Sequence, residues 1–256
     1  EGHEFFEASS IRKINGRYYF VYSSVKGHEL CYAVSDRPDE GYTYGGVVVD
    51  NADIFEGDPN RQEGVMAQGN NHGGIEEANG QWYVFYHRQT DRGSFSRQAC
   101  AEKIFFDSQG RIRQAEITSC GLNDGPLAGE GVYPANICCH LSQGGKTTFS
   151  HPMAMGENFP YLTQDEKDIT PEDVGFPESA RRDAAFPVQF VRNFKDQSIM
   201  GFKYFDCRGL KRAGLTLRGK AEGTIVVSTV PMTAENSDPA AVIGEISVDV
   251  NTEQWT

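Results

Sequence analysis

Two stretches decide the fold: IRKINGRYYFVY at residues 11–22 and IEEANGQWYVFY at residues 75–86. Aligned without a gap they share five of twelve residues, where roughly one identity is expected by chance, so the chain contains an internal repeat. In each copy a short alternating segment meets Asn-Gly, the strongest short hairpin signal, and an aromatic strand follows. Each copy then continues with two more strand candidates. The first copy gives ELCYAVSD and YTYGGVVVD; the second gives RQACAEKIFFD and RIRQAEITS. Four strands within about 45 residues is the size of one blade of a β-propeller. A four-stranded meander of a plain sandwich is the alternative. Two blades leave edges and half a core uncovered, so further blades are expected upstream of Glu1.

Composition points the same way. The 256 residues are 38% hydrophobic and 11% aromatic, with 28 glycines, which suits a turn-rich β-protein. A net charge of −12 without a basic run disfavours nucleic acid and leaves neutral ligands such as sugars. No run of about 18 apolar residues occurs, so no membrane span is expected. Cys31, Cys100, Cys120, Cys138, Cys139 and Cys207 show no C-x-x-C spacing, which argues against a zinc motif, and read as buried free thiols, with disulfides the alternative. If Cys138 and Cys139 lie on a strand, at most one of them faces a core.

The first strand of each propeller blade lines the central channel. The repeat places FFEASSI and NNHGGI there, with Glu7 opposite Asn71 and Ala8 opposite His72. A carboxylate after two phenylalanines in a partly desolvated funnel is suited to proton donation near neutral pH. The structural alternative is a rim carboxylate capping backbone amides. Trp82, Tyr83 and Phe85 are expected in the blade core rather than as sugar platforms, and His87 and Arg88 end their strand near the funnel. The long connection 51–69 can shape a binding site, and GDPN (57–60) within it reads as a loop.

FFEASSIRKINGRYYFVYSS, GNNHGGIEEANGQWYVFYHRQ and SRQACAEKIFFD, in that order, resemble glycoside hydrolase family 43, whose catalytic domain is a five-bladed β-propeller. The resemblance runs through residues 1–119. It implies that Glu7 is the general acid of an inverting glycosidase. It implies that His72 lies near the propeller axis, helping to hold Ca2+ through water, and that Arg97 reaches the sugar nearest the cleaved bond. The Asp base of the family has no match in this chain. Without it the isolated chain is expected to be inactive. Otherwise, His72 is a hydrogen-bonded packing residue and Arg97 pairs with Glu102 or Asp107.

After Ser119, GLNDGPLAGEGVYP reads as a link, and the acidic 163–183 as an exposed loop. ANICCHLS reads as a short strand. FPVQFVRNF, SIMGFKYFD, LKRAGLTLRG, GTIVVSTV and VIGEISVDV then recur with the spacing of an all-β sandwich. This part resembles carbohydrate-binding module family six, less closely. The expectation is therefore all-β: the last blades of a propeller at 1–119 and a jelly-roll-like β-sandwich accessory domain at 120–256, cut short at its C-terminus. The expected partner is an oligo- or polysaccharide from which α-L-arabinofuranosyl or β-D-xylosyl residues are removed, by a secreted or periplasmic protein. A non-catalytic carbohydrate-binding protein is the alternative, and a propeller scaffold for protein partners a third.

Overall fold

The computed structural model describes residues 2–52, 69, 71–91, 96–144, 158–164, 189–230 and 239–256. The fold is all-β. β1 (Phe5–Ile14), β2 (Arg17–Ser24), β3 (Glu29–Ser35) and β4 (Thr43–Asp50) form an antiparallel meander in that order. β5 (Gly74–Ala78), β6 (Gln81–Gln89) and β7 (Arg97–Lys103) form a second meander. The repeat is carried by the hairpins. Ile14 pairs with Arg17 and Arg12 with Tyr19 in the first, Ala78 with Gln81 and Glu76 with Tyr83 in the second. Both turns have two positive φ angles, 49° and 87° at Asn15–Gly16, 52° and 81° at Asn79–Gly80. That is the mirror-image turn whose twist matches a β-ribbon, and Asn and Gly tolerate it best.

Alternation along the strands divides their side chains between two faces. Tyr19, Val21, Leu30, Tyr32, Val48 and Val49 of the first sheet meet Ile75, Val84 and Tyr86 of the second in one shared core. Each fully buried aliphatic side chain there contributes about 1.5–3 kcal/mol. Trp82 packs against this core and Tyr83 is buried, but Phe85 is 38% exposed. Phe85 lies two residues from Tyr83 on the strand face away from Val84, so the expectation of a core Phe85 is corrected. The other face of the first sheet is also apolar. Phe20, Tyr22 and Tyr42 lie there beside Cys31 and Ala33, and Phe5 touches Phe20 and Tyr22 at ring distances of 5.7 and 5.9 Å.

The fourth strand expected in the second repeat is absent. Residues 111–119 form one isolated bridge, Phe106 to Ile112, yet bury Ile112, Ala115 and Ile117. Their backbone bonds elsewhere: the Ala115 amide donates to the Val48 carbonyl at 2.7 Å, and the Thr118 amide to Glu102 at 2.7 Å. The apolar alternation was legible, but its partners are another sheet and a side chain.

Later residues form short ladders. β8 (Leu127–Ala128) pairs in parallel with β13 (Phe205–Asp206), β9 (His140–Gln143) with β12 (Ser198–Gly201), and β10 (Tyr161–Gln164) with β11 (Gln189–Arg192). β14 (Gly219–Ser228) and β15 (Val242–Thr252) make a long, largely exposed hairpin. Residues 210–218, expected as a strand, are irregular and exposed, with Leu217 exchanging two backbone bonds with Thr256. Residues 135–137 form a 3-10 turn ahead of β9 rather than a continuous strand. Both Cys138 and Cys139 are buried, because this segment runs between two cores: Cys138 meets Leu141 and Leu162, Cys139 the shared core. All six cysteines are free thiols, with Cys207 exposed. GDPN and most of the acidic loop lie outside the described residues.

Candidate active site

Glu7 and His72 meet where the first strands of the two sheets run side by side. Two register shifts flank Glu7 in the β1–β2 ladder, and Ala8 after it adopts φ 53°. A non-glycine residue held there costs on the order of 1–3 kcal/mol, and a bulge of this kind re-aims the neighbouring side chain. Glu7 Oε1 lies 2.7 Å from His72 Nε2, with side-chain exposures of 41% and 36%. The contact either has the imidazole N–H donating to the carboxylate or the protonated carboxyl donating to the ring.

The glycines after His72 permit this approach. A Cβ on Gly73 would sit 2.0 Å from the Phe85 carbonyl oxygen and 2.9 Å from Leu30 Cδ1; one on Gly74 would sit 2.8 Å from Ser10 Oγ. Asn71 is fully buried and works as a splint. Its amide donates to the Gly27 carbonyl at 2.6 Å, its Nδ2 to the His28 carbonyl at 3.3 Å, and its Oδ1 accepts from the His87 amide at 3.4 Å. The repeat position equivalent to the candidate acid is thus structural.

His87 completes the support. Its Nε2 accepts the His72 amide at 3.2 Å, and the two rings meet edge to face at 5.2 Å. Burial, with the nearby charges of Arg97 and His72, pushes its pKa down to about 4. A neutral ring with Nε2 as acceptor carries its proton on Nδ1, which is buried without a partner among the described residues. Arg97 opens β7 opposite Gln89, partly buried, and donates to the Ser96 carbonyl at 2.9 Å. Burial lowers its pKa from the usual value. Glu102 is bonded to Thr118, and Asp107 to Arg111.

The structure therefore joins Glu7 to His72 directly and sets Arg97 close enough to His87 to act on its charge. Arg88 goes elsewhere. It is buried on the opposite strand face, where it donates to Gln98 Oε1 at 2.6 Å, to the Cys138 carbonyl at 2.5 Å and to the Asn136 carbonyl. Strand alternation, which cannot send neighbours to one funnel, corrects the expectation that both reach it. His87 as a support for His72 was not foreseen; its signal was the second histidine at the end of an aromatic strand facing NNHGG.

A cavity of about 230 Å³ lies between Glu102, Lys103, Arg113, Glu116, Cys120 and Tyr204, apart from Glu7. There burial pushes Glu102 up to about 7 against its bonds from Thr118. Calcium takes about six to eight oxygen ligands. Among the described residues no group of three His, Cys, Asp or Glu side chains that could hold a metal ion includes His72.

The chain is 45% identical over 259 residues to a xylosidase/arabinosidase of Thermoclostridium stercorarium, an alignment covering all of this chain and 50% of that protein. The chain spans about half the length of that relative. A β-xylosidase of Xylanibacter ruminicola is 35% identical over 113 residues, 43% of this chain and 31% of that one. A solved GH43 β-xylosidase/α-arabinofuranosidase from a compost microbial metagenome, in complex with xylotriose and in a calcium-free form, is 30% identical, covering 43% of this chain and 30% of that one, at TM-score 0.34. No protein-family profile matches the chain.

Proposed function

We propose that this chain carries the general acid of an inverting glycoside hydrolase of family 43 that removes α-L-arabinofuranosyl or β-D-xylosyl residues from plant polysaccharides. The observation that carries this is the 2.7 Å contact between Glu7 of β1 and His72, just ahead of β5, where the first strands of two repeat-related sheets adjoin. The Thermoclostridium stercorarium relative, named for both sugars, supports it.

In this account Glu7 delivers a proton to the glycosidic oxygen as the bond breaks. His72 holds the carboxyl rotamer, and His87, neutral throughout the working range, holds the His72 main chain. Arg97 binds hydroxyls of the departing sugar. An Asp base supplied by upstream chain activates water on the opposite face, about 6.5–9.5 Å from the acid. The same upstream chain forms the remaining propeller blades, one of which covers Phe5, Phe20 and Tyr42. Residues 120–256 act as an accessory β-module, and the protein works outside the cytoplasm. A calcium ion beside His72 would draw its oxygen shell from water and from residues beyond those described, and no step depends on it.

The test is sugar release from arabinoxylan and arabinan by the full-length protein and its Glu7→Gln variant. Release of arabinose or xylose that falls by at least about a hundredfold in the variant supports the proposal. Equal release by both proteins contradicts it.

A further inference from the structure

Away from Glu7, three unlike donor atoms converge beneath the N-terminal segment. His3 Nδ1 lies 2.6 Å from Glu29 Oε1 and 3.8 Å from Cys31 Sγ, and Cys31 Sγ lies 3.5 Å from Glu29 Oε1. Glu29 and Cys31 are alternate residues of β3, so both point to one face; both are buried. His3 crosses that face with its side chain 28% exposed. Two contacts independent of Glu29 hold it: Tyr22 Oη donates to the His3 carbonyl at 2.7 Å, and the Tyr44 ring stacks on the imidazole at 5.2 Å.

From this geometry we infer a binding site for a divalent transition-metal ion of the zinc class, with His3 Nδ1, Glu29 and Cys31 Sγ as ligands and a fourth position open beside His3. The sulfur–nitrogen–oxygen set selects zinc over calcium or magnesium. Zinc–ligand bonds of about 2.0–2.3 Å place tetrahedral neighbours about 3.3–3.7 Å apart. The two separations involving sulfur already lie close to that. The His3–Glu29 separation must open by about 0.7 Å to meet it. A plain hydrogen-bond cluster needs only His3 and Glu29; a buried thiol adds little as a donor but is a strong zinc ligand.

Ser24 Oγ donates to Glu29 Oε1 at 2.6 Å, and it stays to orient the carboxylate. Lys26 Nζ now stands 3.7 Å from Glu29 Oε2 and 3.4 Å from His3 Nε2. Its side chain is 41% exposed, so the entering ion displaces it into solvent and takes over the compensation of Glu29. The protons balance. The His3 proton moves from Nδ1 to Nε2, the Cys31 thiol releases its proton to solvent, and each ion bound liberates one proton.

Cobalt(II) chloride is the probe, added to the full-length protein in a Cys207→Ser background that removes the exposed thiol. The inference predicts a near-ultraviolet thiolate-to-cobalt absorption band that one equivalent of zinc abolishes, with one proton released per ion. Cys31→Ser should remove the band. His3→Gln, at a partly exposed position that leaves the core intact, should weaken cobalt binding by at least about tenfold. No band in the parent chain, a band that survives Cys31→Ser, or unchanged affinity in His3→Gln overturns the site. If Cys31→Ser fails to fold, His3→Gln decides.

Discussion

Arg12 and Glu76 occupy the same place in the two repeats, 64 residues apart, and bond each other across the junction of the two sheets with Nε to Oε2 at 2.9 Å. Equivalent positions of neighbouring sheets become partners because their first strands lie side by side. With side-chain exposures of 40% and 56%, the pair is screened by water. Arg12→Ala should therefore cost less than about 1 kcal/mol, and a double-mutant cycle with Glu76→Ala should show coupling of the same small size. Urea unfolding of the four proteins measures it. The pair marks the junction without holding it together.

The glycines do hold it. Gly73→Ala drives a methyl into a main-chain carbonyl, which no rotamer change relieves, and should cost about 2–4 kcal/mol in the same unfolding measurement. Gly16→Ala meets open space but keeps φ near +87°, and should cost about 1 kcal/mol. The larger loss at Gly73 is the expected order.

Arg88 ties the second sheet to the segment beyond it. Arg88→Met would take the Arg88 donor from the Cys138 carbonyl and leave the Asn136 carbonyl with Gln98 Nε2 alone, at a cost of about 2–4 kcal/mol. Arg88→Lys should not restore stability, since one ammonium cannot span the fork that reaches both carbonyls and Gln98. Thermal denaturation of the two variants checks this.

Two groups give opposite pH signatures. His87, with its folded pKa at about 4 against about 6.5 when unfolded, binds its proton more readily in the unfolded chain. Its contribution is full above the unfolded value and is lost as pH falls through that window. Glu102, raised to about 7 when folded against about 4.3 unfolded, stabilises fully at low pH and loses that as pH rises through its window. The stability difference between parent and His87→Gln should therefore change below pH 6.5, and that for Glu102→Gln between pH 4.3 and 7. Denaturation curves across this range, with variants of unchanged slope as the contrary result, decide it.

Much of this was legible in the residues. Asn15–Gly16 and Asn79–Gly80 announce their turns because few other pairs accept two positive φ angles. The repeat placed Glu7 and the NNHGG segment at equivalent strand starts, and the structure brings Glu7 against His72. What stayed hidden depended on partners distant in sequence. Residues 111–119 alternate like a strand but bond to Val48 and Glu102. Cys138 and Cys139 are both buried because two cores flank them, which local pattern cannot convey. The convergence of His3 on Glu29 and Cys31 follows from chain path, not spacing.

The role of Glu7 is tested most directly by leaving-group dependence. Rates of the full-length protein and its Glu7→Gln variant would be compared on a series of aryl glycosides of graded leaving-group acidity. If Glu7 donates the proton, the variant should nearly match the parent on the most acidic leaving groups and fall progressively behind, by at least about a hundredfold, on the least acidic. A loss of equal size across the whole series, or no loss at all, would contradict the assignment of Glu7 as the acid.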